Sequence, residues 1–178
     1  MKHTYILVYA CDFAPGSNIL CGPETIARLE RVIKYIKEHS NESATILLTA
    51  GYKNKRRYSI GLAMEKWLER RIVMELMDAT FNRPIIYRPD KNNWSTYEET
   101  SAAAWYIKQQ RNFGIEPKVV AITSDYHEYR VDLCWLFIQP STKVLILTSS
   151  KISCWYSPLL EPIKLLKVLY KFAKMKFA

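Results

Sequence analysis

The chain predicts an α/β fold, a mostly parallel five-stranded sheet with helices on both faces. Two observations lead there. Five short apolar runs alternate with five longer segments of helical periodicity along 178 residues. The apolar runs are continuous rather than alternating, which marks strands covered on both sides. Alternation of this kind builds a parallel sheet through right-handed crossovers. No Gly/Ser-rich linker, low-complexity tract or internal repeat interrupts it, so residues 1–178 parse as one domain, long enough to bury a sizeable core.

The first strand is expected at Tyr5–Ala10. It is too short to cross a bilayer and runs into Cys11-Asp12 rather than a small-residue cleavage site. The first helix follows Pro23 and covers about Glu24–Glu38, with Ile26, Leu29, Val32, Ile33 and Ile36 spaced for one apolar face. The remaining strands are Thr45–Ala50, Ile85–Tyr87, Val119–Thr123 and Val144–Thr148. The second helix covers about Ser59–Ala79 and carries Leu62, Trp67, Leu68, Ile72 and Leu76 inward. The third opens at Ser95-Thr96-Tyr97-Glu98-Glu99, which offers two overlapping capping boxes, and continues through Trp105 and Ile107 to about Arg111. The fourth opens at Ser124-Asp125-Tyr126-His127-Glu128, where Asp125 and Glu128 fit another box, and turns Val131, Leu133, Cys134, Trp135 and Phe137 to the core. A last helix follows Pro158; residues 160–178 make it basic and amphipathic.

Lys plus Arg is 26 and Asp plus Glu is 17, a net charge of +9 that favours anionic partners without choosing among them. Nucleic acid has the charge in its favour but no motif or aromatic-basic interleaving. Cys11, Cys21, Cys134 and Cys154 form no CxxC pair, and with three histidines they assemble no zinc-type cluster. Scattered cysteines fit a reducing compartment, and a cytoplasmic location is expected. Cys134 reads as core; Cys11, at a strand end, reads as either packing or a reactive thiol. Asp12, Asp90 and Glu98 are the acids that would share an ion if one is bound, but no metal is expected.

In open α/β sheets ligands bind beyond the carboxyl ends of the strands. The loops there hold Asp12 after the first strand, Gly51 and the run Lys53–Arg57 after the second, Asn93, Ser95 and Thr96 after the third, and Ser124, Tyr126, His127 and Arg130 after the fourth. A helix amino terminus carries free N–H groups and partial positive charge. Tyr126, His127 and Arg130 share one side of such a terminus and can hold a phosphate or carboxylate. The helix end is expected to depress the His127 pKa and leave a neutral imidazole. Structural duties compete at several positions: capping at Ser95, Thr96, Glu98 and Glu99, a solvated loop at Lys53–Arg57, a tight turn at Gly51, and a turn at Asp12.

The segment Val119-Val120-Ala121-Ile122-Thr123-Ser124-Asp125-Tyr126-His127-Glu128-Tyr129-Arg130 resembles the signature of the YdcF-like family (domain of unknown function 218), which includes SanA and ElyC. Weaker matches fall in the same order. Ala27-Arg28-Leu29 resembles the family's Arg-Leu, Thr49-Ala50-Gly51 its Ser-Gly-Gly, Met64-Glu65 with Leu68 its acidic position on the second helix, and Asn92 through Glu99 its Ser-x-x-Thr-x-Glu-Asn segment. The likeness covers about residues 4 to 150. Departures are Tyr9-Ala10-Cys11-Asp12-Phe13 in place of a Gly-rich turn, Tyr52 for the second Gly and Glu99 for the Asn; they crowd the site. The amino-terminal membrane anchor of many relatives is missing from this sequence. The resemblance implies a Rossmann-like three-layer fold and a site of Thr96, Glu98, Ser124, His127 and Arg130. It also implies a setting in bacterial envelope or lipid-carrier metabolism, with a nucleotide-like cofactor such as S-adenosylmethionine for some members.

Three functions stay open. One is an enzyme on a phosphate-bearing or nucleotide-like substrate, with His127 as acid/base, Arg130 clamping the anion and Glu98 or Asp12 orienting His127. Another is a nucleotide- or S-adenosylmethionine-binding module without turnover. The last is a peripheral membrane or partner-binding protein that uses the basic carboxyl-terminal helix; the competing expectation is that this helix packs on the sheet with a lysine-rich outer face.

Overall fold

Five parallel strands stand in the order β3-β2-β1-β4-β5: β1 (Lys2–Val8), β2 (Ala44–Leu47), β3 (Ile85–Tyr87), β4 (Glu116–Ser124) and β5 (Val144–Ser149). Among the described residues every strand pairing of the sheet is parallel. The structure is a computed structural model that describes residues 2–17, 20–49, 59–75, 82–88, 95–111, 114, 116–149 and 157–176. The helices are α1 (Pro23–Glu38), α2 (Ile60–Glu75), α3 (Thr96–Arg111), α4 (Glu128–Ile138) and α5 (Ser157–Lys176), with a 3-10 turn at Asp125–His127.

Alternation along the strands divides the core into two layers. Ile6 and Val8 of β1, with Ile46, Val120 and Ile122, meet Leu29, Val32, Ile33 and Ile36 of α1 and Met64, Leu68 and Ile72 of α2. Tyr5, Leu7 and Tyr9, with Leu47, Val119 and Ala121, meet Ala103, Ala104 and Ile107 of α3 and Val131 and Trp135 of α4. The result is the three-layer, Rossmann-like arrangement of helix pairs on both faces of a sheet.

The last helix does not cover the sheet. Val168 and Phe172 of α5 pack instead against Cys134 of α4, with Tyr97 of α3, Leu133 and Ile138 around them. The outer face of α5 carries the exposed Lys167 and Lys174, but it is not polar throughout as expected of a sheet-packing helix: Leu159, Ile163, Leu166 and Tyr170 stand exposed there too. Because α4 is covered by the sheet on one side and α5 on the other, Cys134 is fully buried, in keeping with a core role.

Strand order reverses between β1 and β4. The chain steps from β1 to β2 to β3 on one side, then crosses back to β4 on the other. The carboxyl ends of these two neighbours, Val8 and Ser124, therefore flank the crevice where ligands bind in such sheets.

Candidate functional site

At the β1/β4 switch point the side chains form one buried polar network. Arg28 of α1 and Glu24, one turn before it, are both fully buried and paired at 2.7 Å. Arg28 Nη1 donates to the carbonyls of Tyr9 (2.8 Å) and Ala10 (3.1 Å), which satisfies the end of β1. Arg28 Nη2 and Nε reach Ser124 Oγ at 2.8 and 3.1 Å, which ties α1 to the end of β4. Glu24 Oε1 also accepts from Ser124 Oγ and from the Tyr126 hydroxyl, each at 2.5 Å. Burial, then the hydrogen bond to Glu24, push the Tyr126 hydroxyl pKa up. The Cys11 Sγ lies 3.8 Å from the same hydroxyl. Burial raises the Cys11 thiol to about 12, which keeps it protonated and makes packing, not reactivity, its role.

A second group adjoins the first. The 3-10 turn after β4 carries His127 inward, and its imidazole is 9% exposed. Arg130, one turn on, is 8% exposed and places Nη2 2.7 Å from both ring nitrogens. Glu161 of α5 places Oε1 3.1 Å from Nε2 of His127 and Oε2 3.4 Å from Nε of Arg130. A guanidinium only donates, so the ring nitrogen that takes its hydrogen bond is unprotonated. With Glu161 accepting from Nε2–H, that nitrogen is Nδ1, and the ring is neutral. Burial lowers the imidazole to about 4; the Glu161 hydrogen bond opposes this, and the charges of Arg130 and Arg28 add to it. The expected direction is therefore found, with desolvation rather than the helix end as its main cause. Burial works against charge on Glu161, but the His127 hydrogen bond and the charges of Arg130 and Lys164 hold its carboxyl below the usual range.

Glu99 completes the site from the first turn of α3. It is fully enclosed, and burial raises its carboxyl to about 8, against the pull of Arg28, the backbone N–H of Ala10 and Arg130. At neutral pH Arg28 and Arg130 thus face Glu24 and Glu161, with a neutral His127 and a largely protonated Glu99. The charges balance. Taking so many ionisable groups out of water costs several kcal/mol per ion before pairing; perturbed groups gather in this way both at functional sites and in structural ion-pair networks.

Several sequence expectations change. The carboxylate facing His127 is that of Glu161, not Glu98 or Asp12. Ser95 caps α3, its Oγ 3.4 Å from the N–H of Glu98, as expected of a cap; Thr96 is buried, and its carbonyl accepts from Thr100 Oγ1 at 2.7 Å. The box expected from Asp125 and Glu128 gives way to the 3-10 turn, and no side chain caps α4. Asp12 serves α1: Oδ1 accepts from the N–H and hydroxyl of Thr25 at 3.0 and 2.9 Å, and its carbonyl accepts from Gly22 N–H at 2.9 Å. The contact is so close that a Cβ on Gly22 would lie 2.3 Å from the Asp12 carboxyl. Ser124, Tyr126, His127 and Arg130 do converge. Gly51, Asn93, Asp90 and Lys53–Arg57 lie outside the described residues. Among the described residues no three side chains are grouped to hold a metal.

Glu24, Arg28, Glu99 and Glu161 were not assigned to the site from sequence. Two had a signal. Counting back from Ile107 through Ala103 and Ala104 puts Thr100, Glu99 and Thr96 on the buried stripe of α3. Glu161 is the one acid of a helix with five lysines. A cleft of about 530 Å³, lined by Trp67, Arg70 and Arg71 of α2 with Leu20 and Cys21, shares no residue with this network.

Compared with known proteins, the chain matches no family model, no curated protein and no solved structure.

Proposed function

We propose that the protein binds a phosphate-bearing, nucleotide-like small molecule at the β1/β4 switch point and acts on it there. One observation carries this reading: the His127–Arg130 pair already holds an anion, the carboxylate of Glu161, at 3.1 and 3.4 Å in a nearly closed setting. A phosphate oxygen of a ligand replaces that carboxylate. Arg130 then supplies the fixed positive charge and His127 a neutral Nε2–H donor. The acid/base work is divided. His127 is the acid/base group at the seat, and Glu99, whose carboxyl titrates near 8, is the buried acid closest to operating pH. The resemblance to YdcF-like proteins adds envelope or lipid-carrier metabolism as the setting.

A binding module for a nucleotide or S-adenosylmethionine, without turnover, is the second reading. What favours it is the imidazole value of about 4, which makes His127 a weak base at neutral pH. Thermal-shift measurements with inorganic phosphate, nucleotides, sugar phosphates and S-adenosylmethionine test both. A phosphate-bearing compound raises the melting temperature, and Arg130→Gln abolishes the rise. Product formation that is lost in His127→Gln supports the enzyme; stabilisation without product supports the module. No stabilisation by any compound, or a rise that persists in Arg130→Gln, overturns the proposal.

A further inference from the structure

We infer that the outer face of α5 docks onto an anionic lipid surface. The helix carries two apolar stripes on opposite sides. Val168 and Phe172 face α4, together with Glu161. Leu159, Ile163, Leu166 and Tyr170 recur at spacings of four, three and four and so share one opposite face. They are 65%, 53%, 65% and 70% exposed, far more apolar surface than a solvated helix needs. Lys167 and Lys174, both exposed, lie along one flank of that stripe.

Charge selects the occupant. Glu161 is the only acid of α5, and it points inward, so the outer surface pairs large aliphatic side chains with lysines alone. A second copy of the same helix would set lysine against lysine at the flanks, with no outward acid on α5 itself to relieve the repulsion. An anionic bilayer offers both requirements at once: a boundary that accepts Leu and Ile side chains with Tyr at headgroup level, and negative charge beside it for the lysines. The net charge of +9 acts in the same direction. No helix among the described residues is long and apolar enough to cross a membrane, so α5 lies in the interface. This docking is independent of any ligand at the switch point.

Vesicle sedimentation with the full chain tests it. Vesicles of phosphatidylcholine and phosphatidylglycerol in equal parts carry the protein into the pellet, vesicles of phosphatidylcholine alone do not, and added salt releases it. Leu166→Asp weakens the partition at least about tenfold. Lys167→Glu with Lys174→Glu weakens it by a similar factor. All three positions are exposed, so the variants retain the circular dichroism spectrum and melting temperature of the wild type. Failure of the wild type to sediment with anionic vesicles overturns the inference, as does sedimentation indifferent to Leu166→Asp. A concentration-dependent dimer abolished by Leu166→Asp, without vesicle binding, would assign the stripe to a second copy and equally overturn it.

Discussion

Glu161 and His127 lie on elements separated by a whole strand and helix, yet the carboxylate of one sits 3.1 Å from Nε2 of the other. Helix α5 thereby closes the network that the ends of β1 and β4 open. The contact also explains how a guanidinium and a buried imidazole coexist. Arg130 demands an acceptor from the ring, and Glu161 accepts the hydrogen bond that the other nitrogen donates.

The Glu24–Arg28 pair holds the switch point together. Both side chains are fully buried, and Ser124 bridges them. Glu24→Gln leaves the guanidinium without its counter-charge and is expected to lower stability by about 3–5 kcal/mol. Removing both charges, as Glu24→Gln with Arg28→Met, costs less than the sum of the single changes. Urea denaturation of the four proteins measures this; simple additivity would show that the pair does not act as a unit.

Gly22 and Asp12 are coupled sterically. A methyl group at 22 meets the carboxyl that caps Thr25, so Gly22→Ala is expected to destabilise by about 1–3 kcal/mol. Asp12→Ala alone loses a cap worth about 1 kcal/mol. In the double variant the clash is gone and the losses are less than additive. Full additivity in the same denaturation assay would remove the steric account.

Stability against pH separates the two perturbed acids. The His127 value of about 4 lies below its ordinary 6.5, so the unfolded chain binds more protons between them. Its contribution is whole above 6.5 and is lost as pH falls through 4, about 3 kcal/mol in all. Glu99 has the opposite sign. Its value of about 8 lies above the ordinary 4.5, so its contribution is whole below 4.5 and is lost as pH rises through 8. His127→Gln flattens the acid limb of the stability profile, and Glu99→Gln flattens the alkaline limb. Denaturation midpoints across this range check both, and limbs with wild-type slopes would contradict the assignments.

Continuous apolar runs told most of the fold. Ile6 through Val8, Ile46 through Leu48 and Val119 through Ile122 are buried on both faces, as their lack of alternation implies. Strand ends were harder. The first strand begins at Lys2 rather than Tyr5, because backbone pairing with β4 continues past the point where side chains stop being apolar. At its other end Tyr9 still donates its N–H to Ile122, although the strand has closed at Val8. At the site, Ser124, Tyr126, His127 and Arg130 were legible because a helix start after a buried strand is a defined place. Glu99 was hidden by an equally good capping role for its residue type. Glu161 was hidden because its contact depends on α5 packing against α4 instead of the sheet, a tertiary choice that helical periodicity does not encode.

On the proposed reading, His127 and Arg130 form an anion seat that Glu161 fills in the free protein. Titration calorimetry of wild type and Glu161→Gln with a phosphate-bearing compound found by thermal shift decides this. Removing the internal competitor raises the population of open seats, and Glu161→Gln is predicted to bind at least about tenfold more tightly. Equal or weaker binding by Glu161→Gln would rule out the seat and make the carboxylate a structural brace for α5.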